Sequence, residues 1–347
     1  MTVPDLTLTM LGAANSGKTT FLLGMYDILS TGLHGYFTFT EDPDQAVNLR
    51  DAWDLLVDKG ELPLPNDVDQ SKYYRFVFNH GFTPLITVDW MDYRGGALDD
   101  HTTSGSDVSE LRERLNRSDS IYLILDGGVI AKWLDDPAKL PLAKRRLQVR
   151  AMTDHLQRAM QHRREKGLPF PSIVVIITKA DLLRSPSRGV GQALAQVVDQ
   201  LEALLPVVFA VGVTALVCPV KVGDFGDSGE ERVTSVDVKT IDPVGLHRPT
   251  IFSLMHYLTV GLGGRSVAVG EAEAGLSEVE EQMAALNRGF SAFLHSRRTA
   301  QLRNVAGAYT DTIENEKRQT RLDQDLISRL SHELQAHPII RDGELEL

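Results

Sequence analysis

Short apolar runs bounded by turn residues recur along the first two thirds of the chain, with helix-period stretches between them. Leu6-Thr7-Leu8-Thr9-Met10-Leu11 opens the series, and Tyr73–Phe78, Leu85–Val88, Ile121–Leu125, Ile173–Ile177 and Val207–Val213 follow. The later runs are β-branched and apolar on every residue, as strands buried on both faces must be. Asn79-His80-Gly81-Phe82 joins two of the runs as a hairpin turn. Strands alternating with helical stretches predict an α/β domain with a mostly parallel sheet flanked by helices. Ligands of such sheets bind at the carboxyl ends of the strands.

Several stretches exceed a minimal domain. Residues 44–59 predict an inserted helix, followed by the Pro-broken loop Glu61-Leu62-Pro63-Leu64-Pro65-Asn66. Lys144–Lys166 reads as one long helix, and Pro219–Val238 as a polar loop or small hairpin. A helix over Pro249–Leu258 closes the domain, and Gly261-Leu262-Gly263-Gly264 reads as a linker. The expected division is therefore 1–264 and 265–347. Beyond the linker, Leu276, Val279, Met283, Leu286, Phe290 and Phe293 alternate three- and four-residue steps, a heptad seam. Leu302, Val305, Tyr309 and Ile313 continue it, and Leu326, Leu330 and Leu334 mark a further segment. This is a coiled-coil-like helical extension. Its seam fits self-association or a protein partner, and equally an amphipathic helix buried within the chain.

Composition narrows the class. Of 347 residues, 42% are hydrophobic and 24% charged, which is ordinary for a globular protein. The net charge of −11 argues against bulk nucleic-acid binding. Cys218 is the one cysteine, so an intrachain disulfide is excluded and a reducing cytoplasm fits. No charged-then-apolar leader is evident, and no apolar run approaches the ~18 residues of a membrane span. The expectation is a soluble cytoplasmic protein without a membrane span.

Three stretches carry chemistry. Gly12-Ala13-Ala14-Asn15-Ser16-Gly17-Lys18-Thr19 fits G-x-x-x-x-G-K-[ST] between a strand-like run and the helical run from Thr20. In that pattern the glycines let backbone N–H groups turn inward around phosphate. Lys18 reaches the β- and γ-phosphates, and the Thr19 hydroxyl ligates Mg²⁺. Asp92-Tyr93-Arg94-Gly95 ends an apolar strand as D-x-x-G. An acid there can hold Mg²⁺ through water, and the Gly95 N–H can meet a γ-phosphate. Asp89, three residues earlier, faces the other side of the strand, so Asp92 is preferred. Thr178-Lys179-Ala180-Asp181 ends another strand. The Asp181 carboxylate can accept the N1–H and N2–H₂ donor pair of guanine, which adenine lacks, and the Lys179 stem can lie over the base. Thr214-Ala215 follows the run ending at Val213, where backbone amides can meet the base oxygen.

In this order the motifs resemble those of Ras-like P-loop GTPases of the translation-factor-related class, over residues 5–260. The inserted helix and helical tail look similar to bacterial GTPases of the double-GTPase, GTPase-associated-system type. The resemblance implies GTP/GDP and Mg²⁺ as ligands, with Gly12, Asn15, Ser16, Gly17, Lys18, Thr19, Thr20, Gly95, Thr178, Lys179, Asp181, Thr214 and Ala215 around the nucleotide. It implies Thr19 and Asp92 at the metal. It also calls for a hydroxyl just before the second strand of the family's sheet that binds Mg²⁺ and senses the γ-phosphate. Ser71 stands there and joins Lys18 in the catalytic set; Asp67 and Asp69 nearby would add negative charge, and Thr38 and Thr40 read more simply as strand residues.

Two departures change the expected rate and selectivity. Thr178 replaces the usual Asn, as in Rho-like members, so guanine preference survives. Gly96 stands where many Ras-like proteins carry the glutamine that orients the attacking water. Slow intrinsic hydrolysis follows, or a group supplied from elsewhere; His101, Arg94 and Tyr93 are local candidates. The loops around 60–71 and 93–107 would order with GTP. A nucleotide-binding scaffold with little hydrolysis and a P-loop ATPase are the alternatives. Lys144, Arg145, Arg146, Arg150, Arg158, Arg163, Arg164 and Lys166 form a separate basic cluster along the stripe Leu147, Met152, Leu156 and Met160. An acidic partner, a membrane surface, or simply a charged solvent face would each explain it.

Overall fold

Strands with long apolar runs belong inside a sheet covered on both sides, and the middle of this sheet is buried along nearly its whole length. The computed structural model describes residues 4–33, 35–63, 71–93, 105–226, 234–287, 296–335 and 337–346. The chain runs β1 (Asp5–Gly12), α1 (Lys18–Thr31), β2 (Tyr36–Thr40), α2 (Pro43–Lys59), β3 (Lys72–His80), β4 (Thr83–Asp92) and α3 (Gly105–Arg117). Then come β5 (Ser120–Asp126), α4 (Gly127–Asp135), α5 (Leu140–Arg146), α6 (Val149–Glu165), β6 (Ser172–Thr178), α7 (Val190–Leu204) and β7 (Thr214–Pro219). β8 (Lys221–Gly223), β9 (Ile241–Val244), α8 (Arg248–Asn287), α9 (Ser296–Ser331), β10 (Ile339–Arg341) and β11 (Glu344–Glu346) complete it.

The main sheet has the order β11-β10-β7-β6-β5-β1-β4-β3-β2. β7, β6, β5, β1 and β4 are parallel, and both flanks are antiparallel. The β3–β4 hairpin turns at Gly81-Phe82, within the expected turn. On one face Leu123, Val175, Trp133, Leu156 and Leu201 belong to one buried cluster. Elsewhere Phe21, Phe76, Trp90 and Tyr122 pack ring against ring. Asp42 caps the inserted helix α2, accepting from the Asp44 and Gln45 N–H groups, and Gly60 ends it in the left-handed region.

Four expectations are corrected. Val207–Val213 is not a strand: Pro206–Phe209 is a 3₁₀ turn, Val211 is exposed and Gly212 turns at φ +86°. The strand is Thr214–Pro219 instead. Lys144–Lys166 is two helices, broken at Gln148 (φ +53°). In one helix Leu147 and Val149 would point about 200° apart; the break lets both be buried. Gly261–Gly264 is not a linker but part of the continuous helix α8. Finally, Ile339–Arg341 and Glu344–Glu346, expected in the helical extension, are strands of the main sheet.

The chain thus divides into Met1–Leu254 with Leu334–Leu347, and Met255–Glu333. The division falls ten residues before the expected one, and the C-terminal segment belongs with the first unit. In the second unit, Arg265 pairs with Asp323 and Glu316, and Glu273 with Lys317, so the later part of α8 and α9 run antiparallel. Val279, Ile313 and Leu330 of the expected seam are buried, whereas Phe290 and Phe293 lie outside the described residues. Among the described residues no helix is long and apolar enough to cross a membrane.

Candidate functional site

The loop between β1 and α1 turns on two left-handed residues, Asn15 (φ +60°) and Gly17 (φ +85°). A Cβ on Gly12 would lie 2.9 Å from the Ile124 carbonyl oxygen and from the Ser16 Oγ, so only glycine lets the loop leave β1 here. Gly17 is the N-cap of α1 and offers no side-chain cap. The helix therefore begins with open N–H groups and a positive dipole end. The buried Lys18 ammonium folds back and donates to the Gly12 and Ala13 carbonyls, each at 2.9 Å. Burial pushes the ammonium below its ordinary value, and the charge of Asp92 opposes that shift. Thr19 and Thr20 are half-exposed in the first turn of α1. The buried Ser16 hydroxyl has no hydrogen-bond partner among the described residues.

Asp92 is fully buried at the last position of β4, opposite Met10 of β1 on one side and Lys72 of β3 on the other. That register puts Ser71, one residue before Lys72, on the same edge of the sheet as Asp92. Asp89 points elsewhere and has a structural partner: the buried Arg114 of α3 donates to its carboxylate and its carbonyl. Thr38 and Thr40 are buried in β2. Gly95 and Gly96 lie outside the described residues, as do Arg94, His101, Asp67 and Asp69.

β6 delivers the third group. The buried Thr178 hydroxyl donates to the Ser16 carbonyl at 2.6 Å and to the Leu125 carbonyl at 3.1 Å. Lys179 is left-handed (φ +51°), and its ammonium donates to the Asn15 carbonyl and the Asp126 carboxylate. Thr178 and Lys179 therefore brace the Gly12–Gly17 loop from behind. Asp126 was not expected at the site. It ends β5, caps α4 by accepting from the Gly128 and Val129 N–H groups, and anchors Lys179. The signal was the D-G-G sequence at a strand end: a Cβ on Gly127 would lie 2.4 Å from the Thr178 carbonyl oxygen. Asp181 is half-buried and accepts from the Phe225 N–H at 3.1 Å. Burial raises its carboxyl above the ordinary value, while the Phe225 and Gly226 N–H groups pull it back.

Thr214 and Ala215 do not join this group. They begin β7 rather than follow it, and Ala215 pairs with Ile173 near the start of β6. Five residues separate Ile173 from Thr178, about 16 Å along a strand. The segment that reaches the carboxyl edge is Pro219–Gly226: Val220 exchanges backbone hydrogen bonds with Ile177 and Ala180. The basic cluster is structural where it is buried. Arg163 donates to the Asn116, Ser118 and Pro169 carbonyls, and Leu147, Met152, Leu156 and Met160 lie in the core.

The carboxyl ends of β1, β4, β5 and β6 thus bring together two lysines, three carboxylates, a glycine-turned loop and an unused hydroxyl. The open start of α1 and the two ammonium groups give this edge the chemistry of an anion site. Among the described residues no cluster of three His, Cys, Asp or Glu side chains could hold a metal. Mg²⁺ needs no such cluster, because it takes one or two protein oxygens and completes its shell with phosphate and water. No protein-family model matches this chain, and no match is found among curated proteins.

Proposed function

We propose that this chain is a guanine-nucleotide-binding switch of the Ras-like P-loop class, hydrolysing GTP to GDP and phosphate slowly with Mg²⁺, in the cytoplasm. One observation carries the reading. Lys18, Asp92, Lys179 and Asp181, from three separate strand ends, gather on one sheet edge beside the Gly12–Gly17 loop. The open N–H groups of the loop and α1 receive the phosphates. Lys18 shifts from the Gly12 and Ala13 carbonyls toward the charge that develops as water attacks the γ-phosphorus and GDP leaves. The Thr19 hydroxyl and Asp92 would hold the metal, with Ser71 from the chain before β3. Bound Mg²⁺ neutralises phosphate charge. Asp181 selects guanine, and Lys179 flanks the base. Gly96 supplies no side chain to orient water, hence the slow rate. The α8–α9 pair offers the surface for a protein partner or a second copy.

Titration with GTP, GDP and ATP, with and without Mg²⁺, tests this. Binding of both guanine nucleotides, at least about tenfold tighter than ATP and weakened by chelation of Mg²⁺, is expected. Asp181→Asn should shift preference toward xanthine nucleotides. ATP binding as tight as GTP, or guanine selectivity unchanged in that variant, would refute the assignment; single-turnover phosphate release then measures the slow hydrolysis.

A further inference from the structure

The loop Asp224–Gly226 meets the Asp181 carboxylate through the backbone N–H of Phe225, while the charge of Asp224 opposes that of Asp181. We infer that this loop is the positioning element of the base subsite: its Phe225 N–H group holds the Asp181 carboxylate in the orientation that receives a base with two adjacent donors. This rests on the guanine-binding reading above and adds to it a segment that no motif identifies.

The argument runs from acceptor capacity. A carboxylate has about four acceptor positions. Phe225 donates to Oδ2 at 3.1 Å. With one oxygen already engaged by the Phe225 N–H, the carboxylate keeps acceptor positions for the two donors guanine presents. The backbone donors also favour the charged form in a half-buried place that otherwise disfavours it. A carboxylate that turns freely would pay orientational entropy on meeting the base; one already fixed would not.

The loop is itself fixed. The Lys221 ammonium bridges Asp224 at 3.1 Å and Asp242 at 2.9 Å, tying the strand before the loop to β9. A Cβ on Gly223 would lie 2.5 Å from the Phe225 ring and from the Thr240 carbonyl oxygen, so the ring can fold over the strand only because residue 223 is glycine. Val220 meanwhile ties the same strand to Ile177 and Ala180 on either side of Thr178. The Asp181 carboxylate and the loop that holds it are therefore anchored to the same strand end.

The test removes a donor without touching Asp181. Phe225→Pro deletes the N–H, whereas Phe225→Leu keeps it. GDP and ADP are titrated against both variants and the wild type. Phe225→Pro should lose about tenfold of the GDP-over-ADP preference, through weaker GDP binding with ADP unchanged, and Phe225→Leu should keep the preference. GTP hydrolysis should show a raised KM and an unchanged kcat in Phe225→Pro. Lys221→Met loosens the loop without a proline, and should lose about threefold in the same direction; it decides the matter if Phe225→Pro does not fold. Equal preference in Phe225→Pro, Phe225→Leu and wild type, or a gain in GDP affinity on loosening the loop, overturns the inference alone. Absence of guanine preference in the wild type overturns the reading beneath it as well.

Discussion

Thr178→Val separates the brace of the Gly12–Gly17 loop from the loop itself. The Thr178 hydroxyl carries one proton, shared between the Ser16 carbonyl at 2.6 Å and the Leu125 carbonyl at 3.1 Å, in a place sealed from solvent. Valine keeps the shape and removes the proton. Loss of a hydrogen bond in this buried place costs about 1–3 kcal/mol. Sterics add to this. A methyl carbon needs about 3.3 Å from a carbonyl oxygen, so Ser16 must retreat by roughly 0.7 Å. Retreat moves the Gly12–Gly17 loop away from its position beside β6. At about 2–4 °C per kcal/mol for a unit of this size, Tm should fall by about 2–12 °C. Affinity for GTP and ATP should fall together, by about tenfold, because the damage is on the phosphate side and not at Asp181. Thr178→Ser, which keeps the hydroxyl, should retain nucleotide affinity. Thermal denaturation and parallel titrations measure all of this. A Tm within about 1 °C of wild type together with unchanged GTP and ATP binding would show that the hydroxyl braces nothing.

Two further outcomes concern parts of the chain away from the nucleotide. Gly263 and Gly264 lie in the middle of α8 with nothing within 4 Å of where a Cβ would stand, so replacing both with alanine should stabilise the helix. About 2 kcal/mol is expected for the pair, read as a rise in the thermal midpoint followed at 222 nm, and a fall would mean that the glycines are required there. Burial and the charge of Arg248 hold the His337 imidazole below its ordinary value, so the folded state favours its neutral form. The stability this contributes is present above the unfolded value near 6.5 and is lost as pH falls through the folded one. The wild type should therefore lose more Tm than His337→Gln between about pH 7.5 and about pH 5.5; identical slopes would remove His337 from the account.

The sheet was legible where each strand announces itself alone. β5 and β6 have unbroken apolar runs, Ile121–Leu125 and Ile173–Ile177, and β1 alternates threonine with buried apolar residues; all three end in chemistry-bearing positions, so run and motif support one another. The hairpin of β3 and β4 was legible from its turn. Val207–Val213 deceived because β-branched composition describes burial as well as strand. Val207 and Val208 are core residues of a 3₁₀ turn set by Pro206, and Gly212 turns the chain before the real strand begins. Gly261–Gly264 deceived in the opposite sense. Glycine lowers helix propensity by about 1 kcal/mol per residue, yet α8 continues through it to Asn287, with Leu258 and Ala272 buried on either side. The short strands β10 and β11 carry no period long enough to read. Ile340 is fully buried, and the Asp342 side chain accepts from the Gly212 N–H; both are visible only once β7 is in place beside them.

The two ends of the candidate site differ in the same way. Its phosphate end is contiguous: Gly12 to Thr19 contains the turn glycines, the lysine and the hydroxyl, and the helix start follows within the same stretch. Local sequence is enough to specify it, so a pattern finds it. The base end is assembled across the fold. Asp181 follows β6, and its backbone donor comes from Phe225, 44 residues on. Backbone N–H groups have no residue type, so no pattern can mark them. Thr214-Ala215 was expected at the base because the strand was set one run too early, and the error travelled with it to the wrong edge of the sheet. Moving the strand to Thr214–Pro219 brings Val220–Gly226 to the edge where Asp181 stands. Lys18, Asp92, Lys179 and Asp181 at that edge were therefore legible in the sequence, whereas Asp126 and the backbone donor to Asp181 depend on where the neighbouring strands end.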